Sequence, residues 1–238
     1  MLNRLDVDLA ANLKRVQDEI AEAAVEAGRQ PSEITLVGVS KTQPAESVAA
    51  LVQAGLGHIG ENRVQEALDK FARLEPLLAG DARPVRHMVG HLQSNKAGAA
   101  VSLFDRVDSV DNLKVAQALG RRLPADATLP VLIEVYVGDD PARPGVRPAQ
   151  LLDLVGQVLE VASLRLEGLM SVAPLEVSAR EAFAQVRTLK ENVSKTFPAV
   201  HFGVLSMGMS EDFREAILEG ATEVRVGTAL FGPRRTRF

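Results

Sequence analysis

A lysine leaving an apolar strand is a candidate nucleophile, and Lys41 has that setting in Ser40-Lys41-Thr42, directly after the run 34–39. Partial desolvation favours the neutral amine, which condenses with an aldehyde or ketone to a Schiff base. A surface lysine that merely follows a strand has the same spacing, so spacing alone leaves both readings open. A second group of residues suits an anion. Ser206-Met207-Gly208-Met209-Ser210 offers hydroxyls and a pliant backbone, Glu211 is expected to open a helix, and Gly227-Thr228 follows the last apolar run. Backbone amides at a helix start attract negative charge. Ser210 is equally suited to be the N-cap of that helix, with Phe213 and Ile217 in the core. A lysine for a carbonyl and a cradle for phosphate together point to a phosphorylated carbonyl compound. Arg225 requires an acceptor if it faces inward. Alternation places it with Glu223, opposite Val224 and Val226, without deciding which pair faces inside.

These residues need elements to hold them. Apolar runs of strand character occur at 34–39, 56–59, 86–89, 104–110, 131–137, 164–170, 201–205 and 223–226. Each is short, rich in Val, Ile or Leu and bounded by Gly, Pro or polar residues, as buried parallel strands are. Helical periodicity fills the gaps at 45–53, 63–78, 94–101, 112–119, 148–159, 179–192 and 211–218, and a longer helix, 7–27, ends at Gly28. Eight strands alternating with helices after a leading helix predict an α/β fold, a single (β/α)8 TIM barrel over residues 1–238; an open doubly wound sheet is the alternative. Segments 124–130 and 139–148 read as loops beside the fifth strand, and no linker is evident. In a barrel, ligands meet the C-terminal strand ends. Lys41, Asn62, His91, Met170, Ser206, Ser210 and Thr228 all fall at that rim.

Two patterns are set aside. Gly55-Leu56-Gly57-His58-Ile59-Gly60 has the spacing of a dinucleotide fingerprint, yet it follows a helix and leads into a strand, the reverse of what that site requires. Gly55 then reads as a helix C′ residue. His87 and His91 are four apart, but on a strand and its turn they would not converge on one ion, so no metal is expected. Asp105, Asp108 and Asp111 read as solvated loop acids.

Bulk properties narrow the function classes. The 238 residues are 46% hydrophobic, carry a net charge of −4 with both signs interspersed, and include no cysteine. Nucleic acid and anionic membranes have no electrostatic footing as main partners. Disulfides, thiolate nucleophiles and cysteine-bound metal are excluded. No apolar run reaches the length of a membrane span, and residues 1–13 lack the apolar core of a signal peptide. Arg234, Arg235 and Arg237 read as a short solvated tail. A soluble cytoplasmic protein is expected.

Six ordered stretches carry a family resemblance. They are Val39-Ser40-Lys41-Thr42, Gly60-Glu61-Asn62-Arg63-Val64-Gln65-Glu66, Gly90-His91-Leu92-Gln93-Ser94-Asn95-Lys96, Gly168-Leu169-Met170, Leu205-Ser206-Met207-Gly208-Met209-Ser210 and Val224-Arg225-Val226-Gly227-Thr228. From about residue 34 to Gly232 the chain resembles the pyridoxal phosphate homeostasis proteins (the YggS/PROSC family), whose fold is like the N-terminal barrel of alanine racemase. The resemblance implies pyridoxal 5'-phosphate held as a Schiff base on Lys41. It also implies phosphate contacts from Ser206, Ser210, Gly227 and Thr228, Arg225 at the pyridine nitrogen, and Asn62 and Met170 along the ring. Arg86 stands where the family usually has an aromatic residue before the histidine. Strand five carries Tyr136 and Gly138, then Arg143-Pro144-Gly145, in place of the usual Asn, Ser and a later Lys.

The resemblance implies a protein that carries or buffers the cofactor and supports amino-acid and keto-acid balance; PLP-dependent apoenzymes are candidate partners, and a monomer is expected. An arginine at the pyridine nitrogen weakens the electron sink of PLP chemistry. A racemase would need acid/base groups on both ring faces, Lys41 is the one candidate identified, and a second, β-rich domain to provide another is not expected. No robust catalysis is expected. The alternatives are a weak amino-acid racemase or a Schiff-base aldolase acting on a phosphorylated carbonyl substrate.

Overall fold

The computed structural model describes residues 8–78, 80 and 82–232. The beginning of the leading helix at Val7 and the arginine tail lie outside them. Among the described residues, eight parallel strands close into one barrel in sequence order. They are β1 (Thr35–Val39), β2 (His58–Glu61), β3 (Val85–Met88), β4 (Arg106–Val110), β5 (Leu129–Glu134), β6 (Leu164–Met170), β7 (Val204–Ser206) and β8 (Glu223–Val226). The open-sheet alternative is thereby excluded, because β1 pairs with both β2 and β8.

The helices are α1 (Leu9–Glu26), α2 (Ala45–Gln53), α3 (Val64–Leu74), α4 (Ala97–Leu103), α5 (Leu113–Gly120), α6 (Leu151–Leu159), α7 (Ala179–Thr196), α8 (Phe213–Leu218) and α9 (Thr228–Phe231). Their apolar faces pack on the outward residues of the strands, such as Ile59, Val107, Val131, Ile133, Val224 and Val226, and this layer forms the main apolar core. The leading helix, α1, begins at its N-cap Asp8 and packs on α2, α8 and α9. Asn12 and Arg15 fix it there by donating to the carbonyls of Leu230 and Ala229.

Glycine settles the dinucleotide question. Gly55 follows the C-cap Ala54 with φ 106°, its N–H meets the carbonyl of Val52, and the N–H of Leu56 meets that of Leu51. This is a helix terminus of the Schellman type, which needs a left-handed residue and has nothing to do with phosphate.

The register fixes what faces the barrel interior. Val37 pairs with both His58 and Arg225, Gly60 with His87, and His87 with Arg106. On the other side Leu132 meets Gly168, Glu134 meets Met170, Met170 meets Ser206 and Ser206 meets Glu223. Parallel partners share a face, so these side chains line the inside. Val224 and Val226 face the helices, which resolves the orientation of Arg225: it points inward with Glu223. Barrel interiors are usually filled by branched apolar residues; here buried His87, Asp108, Glu223 and Arg225 occupy much of that space.

Candidate functional site

The Lys41 turn is built on a buried ion cluster. Ser40 ends the barrel wall with its N–H on the Gly60 carbonyl, and the N–H of Gln43 closes a turn onto the Ser40 carbonyl. Thr42 adopts φ 65°, a conformation that costs a β-branched residue of the order of 1–3 kcal/mol unless the surroundings hold it. They do. The Thr42 N–H donates to the Glu66 carboxylate, and Lys70 Nζ donates to the Ser40 carbonyl, to Glu61 Oε1 at 2.5 Å and to Glu66 Oε1 at 3.1 Å. Ser40 Oγ donates to the same Glu61 oxygen at 2.5 Å. Burial pushes Glu61 above the usual carboxylate range, against the pull of Lys70. Helix α3 thus clamps the turn that presents Lys41.

Beside this turn, since β8 pairs with β1, the ends of β7 and β8 bring together a set of hydrogen-bonding groups. Ser210 Oγ accepts from the amides of Gly227 and Ala229, each at 3.3 Å. Ser210 is not the helix cap expected of it: α8 starts at Phe213 after the N-cap Asp212, so Glu211 does not open the helix. Phe213 and Ile217 are in the core as expected. The short helix α9, unforeseen because Gly227 and Thr228 read as a loop, turns the amides after Gly227 toward Ser210. Below them Arg225, fully enclosed, donates to Ser206 Oγ at 2.8 Å and to the Ser171 carbonyl at 2.9 Å.

One cavity of about 680 Å³ joins the two sides at the C-terminal barrel rim. Its walls include Lys41, Asn62, Ser210, Arg225, Gly227 and Thr228, six residues singled out from sequence, together with His91 and Arg143. Met170 and Ser206 lie buried beneath it. The sequence reading missed Glu134, which also lines it. Glu134 ends an apolar strand on the same face as Leu132, and a charge inside such a run was the available signal. Burial, then Asp111, pushes the Glu134 carboxyl up to about 7, against Arg225 and Arg143. Asn62 Oδ1 and Glu134 Oε2 are buried and have no hydrogen-bond partner. A wider groove of about 790 Å³ beside α5 and α6, lined by Gln117, Arg121, Asp126 and Glu160 among others, brings no comparable set together.

Asp108 requires a correction. It is not a solvated loop acid but fully buried in the barrel, 2.8 Å from His87 Nδ1 and 2.8 Å from Arg106 Nε. Burial opposes its charge, yet His87 and Arg106 together hold it below the usual carboxylate range. An isolated acid in sequence gives no sign of partners on neighbouring strands. His91, on the turn, meets Asp111 instead, so the two histidines part as expected. His87, Asp108 and Glu223 do place three ligand-type atoms within 4.8 Å of one another. Arg106, however, bonds Asp108 and lies 3.7 Å from Glu223, so a guanidinium already supplies the positive charge a metal would bring.

The arrangement fits a ligand with a carbonyl and an anionic group. Lys41, the Ser210, Gly227 and Thr228 cradle, Asn62 and Glu134 border one partly enclosed space of small-molecule size.

Comparison with known proteins places the chain in a family. The family model described as "Alanine racemase, N-terminal domain" matches residues 9–235. The chain is 39% identical over 231 residues to the pyridoxal phosphate homeostasis protein of Escherichia coli K12, covering 95% of this chain and 97% of the relative. It is 42% identical over 231 residues to the protein of that name from Pseudomonas aeruginosa, covering 95% and 96%. Among solved structures it is similar to PipY of Synechococcus elongatus with PLP bound, at 35% identity and TM-score 0.82, over 94% of this chain and all of that one. Alanine racemase of Clostridium difficile, at 15% identity and TM-score 0.69 with 57% of that chain covered, shares the fold.

Proposed function

Because this chain belongs to the pyridoxal phosphate homeostasis family, of the alanine racemase N-terminal-domain type, we propose that it binds pyridoxal 5'-phosphate and carries or buffers it in the cell. The observation that carries this reading is the convergence of Lys41 with the Ser210, Gly227 and Thr228 cradle on a single cavity. Lys41 holds the aldehyde as a Schiff base with loss of water. Ser210 and the Gly227 and Thr228 amides hold the phosphate, with Ser206 beneath. Arg225 faces the pyridine nitrogen, Asn62 lies along the ring and Met170 supports it from beneath. When bound, the cofactor supplies an electrophilic aldehyde and an electron-withdrawing ring. An arginine at the ring nitrogen does not readily yield its proton, so the ring stays a weak electron sink, which suits retention rather than turnover.

The protein works as one domain over residues 1–238, in the cytoplasm and as a monomer, handing cofactor to PLP-dependent apoenzymes. Among the described residues no helix is long and apolar enough to cross a membrane. The test is a visible spectrum of the purified protein with and without borohydride, repeated on Lys41→Ala. An absorption band bleached by reduction and absent from the variant is expected. A protein that stays colourless after incubation with PLP would sink the reading.

A further inference from the structure

Glu134 is the last residue of β5, paired in register with Met170, and only 7% exposed. It borders the cavity, yet its Oε2 is buried without a hydrogen-bond partner. Native proteins seldom leave a buried carboxyl oxygen unsatisfied, and a carboxyl group at a cavity wall that carries one can gain a partner when a ligand fills the cavity. The charged groups around it are few. The end of β4 presents Asp111, itself held by His91, and the loop after β5 presents Arg143. Strand β8 presents Arg225, while β6 contributes Met170 and Ser171, which do not titrate. Lys41 and Asp212 stand on the cavity's β1 and β7 sides. Burial and Asp111 favour the neutral acid, and Arg225 and Arg143 favour the carboxylate, leaving the balance near neutral pH.

The two forms have opposite effects on an anionic ligand. The neutral acid donates a hydrogen bond, whereas the carboxylate repels the ligand's oxygens and draws the charges of Arg225 and Arg143 away from the ligand. Resting on the assignment of pyridoxal phosphate to this cavity, we propose that Glu134 is a further cofactor-binding residue, donating from its carboxyl to an acceptor on the bound cofactor and loosening it on ionisation. The site is then a pH-sensitive store, tighter on the acid side of neutrality.

The test compares PLP dissociation constants of the wild type and Glu134→Gln across pH, since glutamine keeps the shape and a permanent donor. Titration of the cofactor itself is common to both proteins and cancels in the ratio. The ratio of wild-type to variant constants should rise about tenfold between roughly pH 6 and pH 8.5. Asp111→Asn removes a neighbouring negative charge and should move the midpoint of that rise to lower pH. Infrared spectra of the ligand-free wild type should show a protonated carboxyl band that titrates near neutrality and is missing from Glu134→Gln. Parallel affinity profiles, a midpoint unmoved by Asp111→Asn, or the absence of the band would overturn the proposal while leaving PLP on Lys41 intact. Failure of both proteins to bind PLP at every pH would overturn the cofactor assignment and this proposal together.

Discussion

Lys41 is held in place by residues that never reach the cavity. Lys70 is 6% exposed and Glu61 fully buried, and the two meet the backbone and hydroxyl of Ser40 one residue away. Buried pairs of this kind add little net stability over an apolar substitute, but losing one partner strands a charge. Lys70→Met should therefore cost about 3–5 kcal/mol in urea unfolding, and Glu61→Gln in the same chain should recover part of it. If Lys70→Met alone unfolds like the wild type, the cluster does not hold the turn. Lys70 gave little warning in the sequence, where it sits within the amphipathic helix 63–78 as one more charge. Lys41 was legible because it follows an apolar strand, while its support was hidden because contacts between a strand end and the next helix leave no spacing rule. Glu134 and Asp108 were obscured in a related way, since their partners come from other strands.

At the scale of elements, alternation and apolar runs gave the order and number of strands, with β6 and β8 matching residue for residue. Boundaries slipped where hydrophobicity and pairing diverge. The run 201–205 shortens to Val204–Ser206, since His201, Phe202 and Gly203 have no strand partner in the barrel, and 56–59 shifts to His58–Glu61 after the Schellman turn. The seam at β7 is consequently narrow: three residues, joined to β8 by the single pair Ser206 with Glu223. Gly168 makes that seam close. A Cβ on it would lie 1.8 Å from the Val204 carbonyl oxygen, in backbone that cannot move aside without opening β6 from β7. Gly168→Ala should cost roughly 3 kcal/mol or more, the range of severe overpacking. Gly57→Ala, with nothing within 4 Å of the added carbon, should stay within about 0.5 kcal/mol. Equal urea midpoints for the two variants would contradict the account of the seam.

The molecule as a whole carries its ionisable groups through the barrel, from His58 at the N-terminal end to Arg225 and Glu134 at the cavity. His58 Nδ1 lies 3.0 Å from His87 Nε2, which passes the chain of contacts to Asp108. Two groups in this interior tie stability to pH in opposite directions. Burial, followed by His87 and Arg106, lowers the pKa of His58 from 6.5 to about 4. Between those values the unfolded chain binds more protons, so stability rises with pH; the contribution is complete above about 6.5 and lost as pH falls toward 4. Glu134 is raised from 4.5 to about 7, so between those values the folded chain binds more protons and stability falls as pH rises. The slopes oppose each other over most of the mildly acidic range, so in the wild type each group partly offsets the other. Removing either group unmasks the other. Glu134→Gln should tilt the profile so that stability climbs with pH through the mildly acidic range, and it should exceed the wild type above neutrality. His58→Asn should tilt it the opposite way, with stability falling as pH rises. Each slope is bounded by about 1.4 kcal/mol per pH unit for one proton, and half-exposed His58 should fall well short of that because water screens it. Tilts of the same sign in both variants would mean that these residues do not form the opposed pair, and that the pH response of the barrel is set elsewhere in its interior.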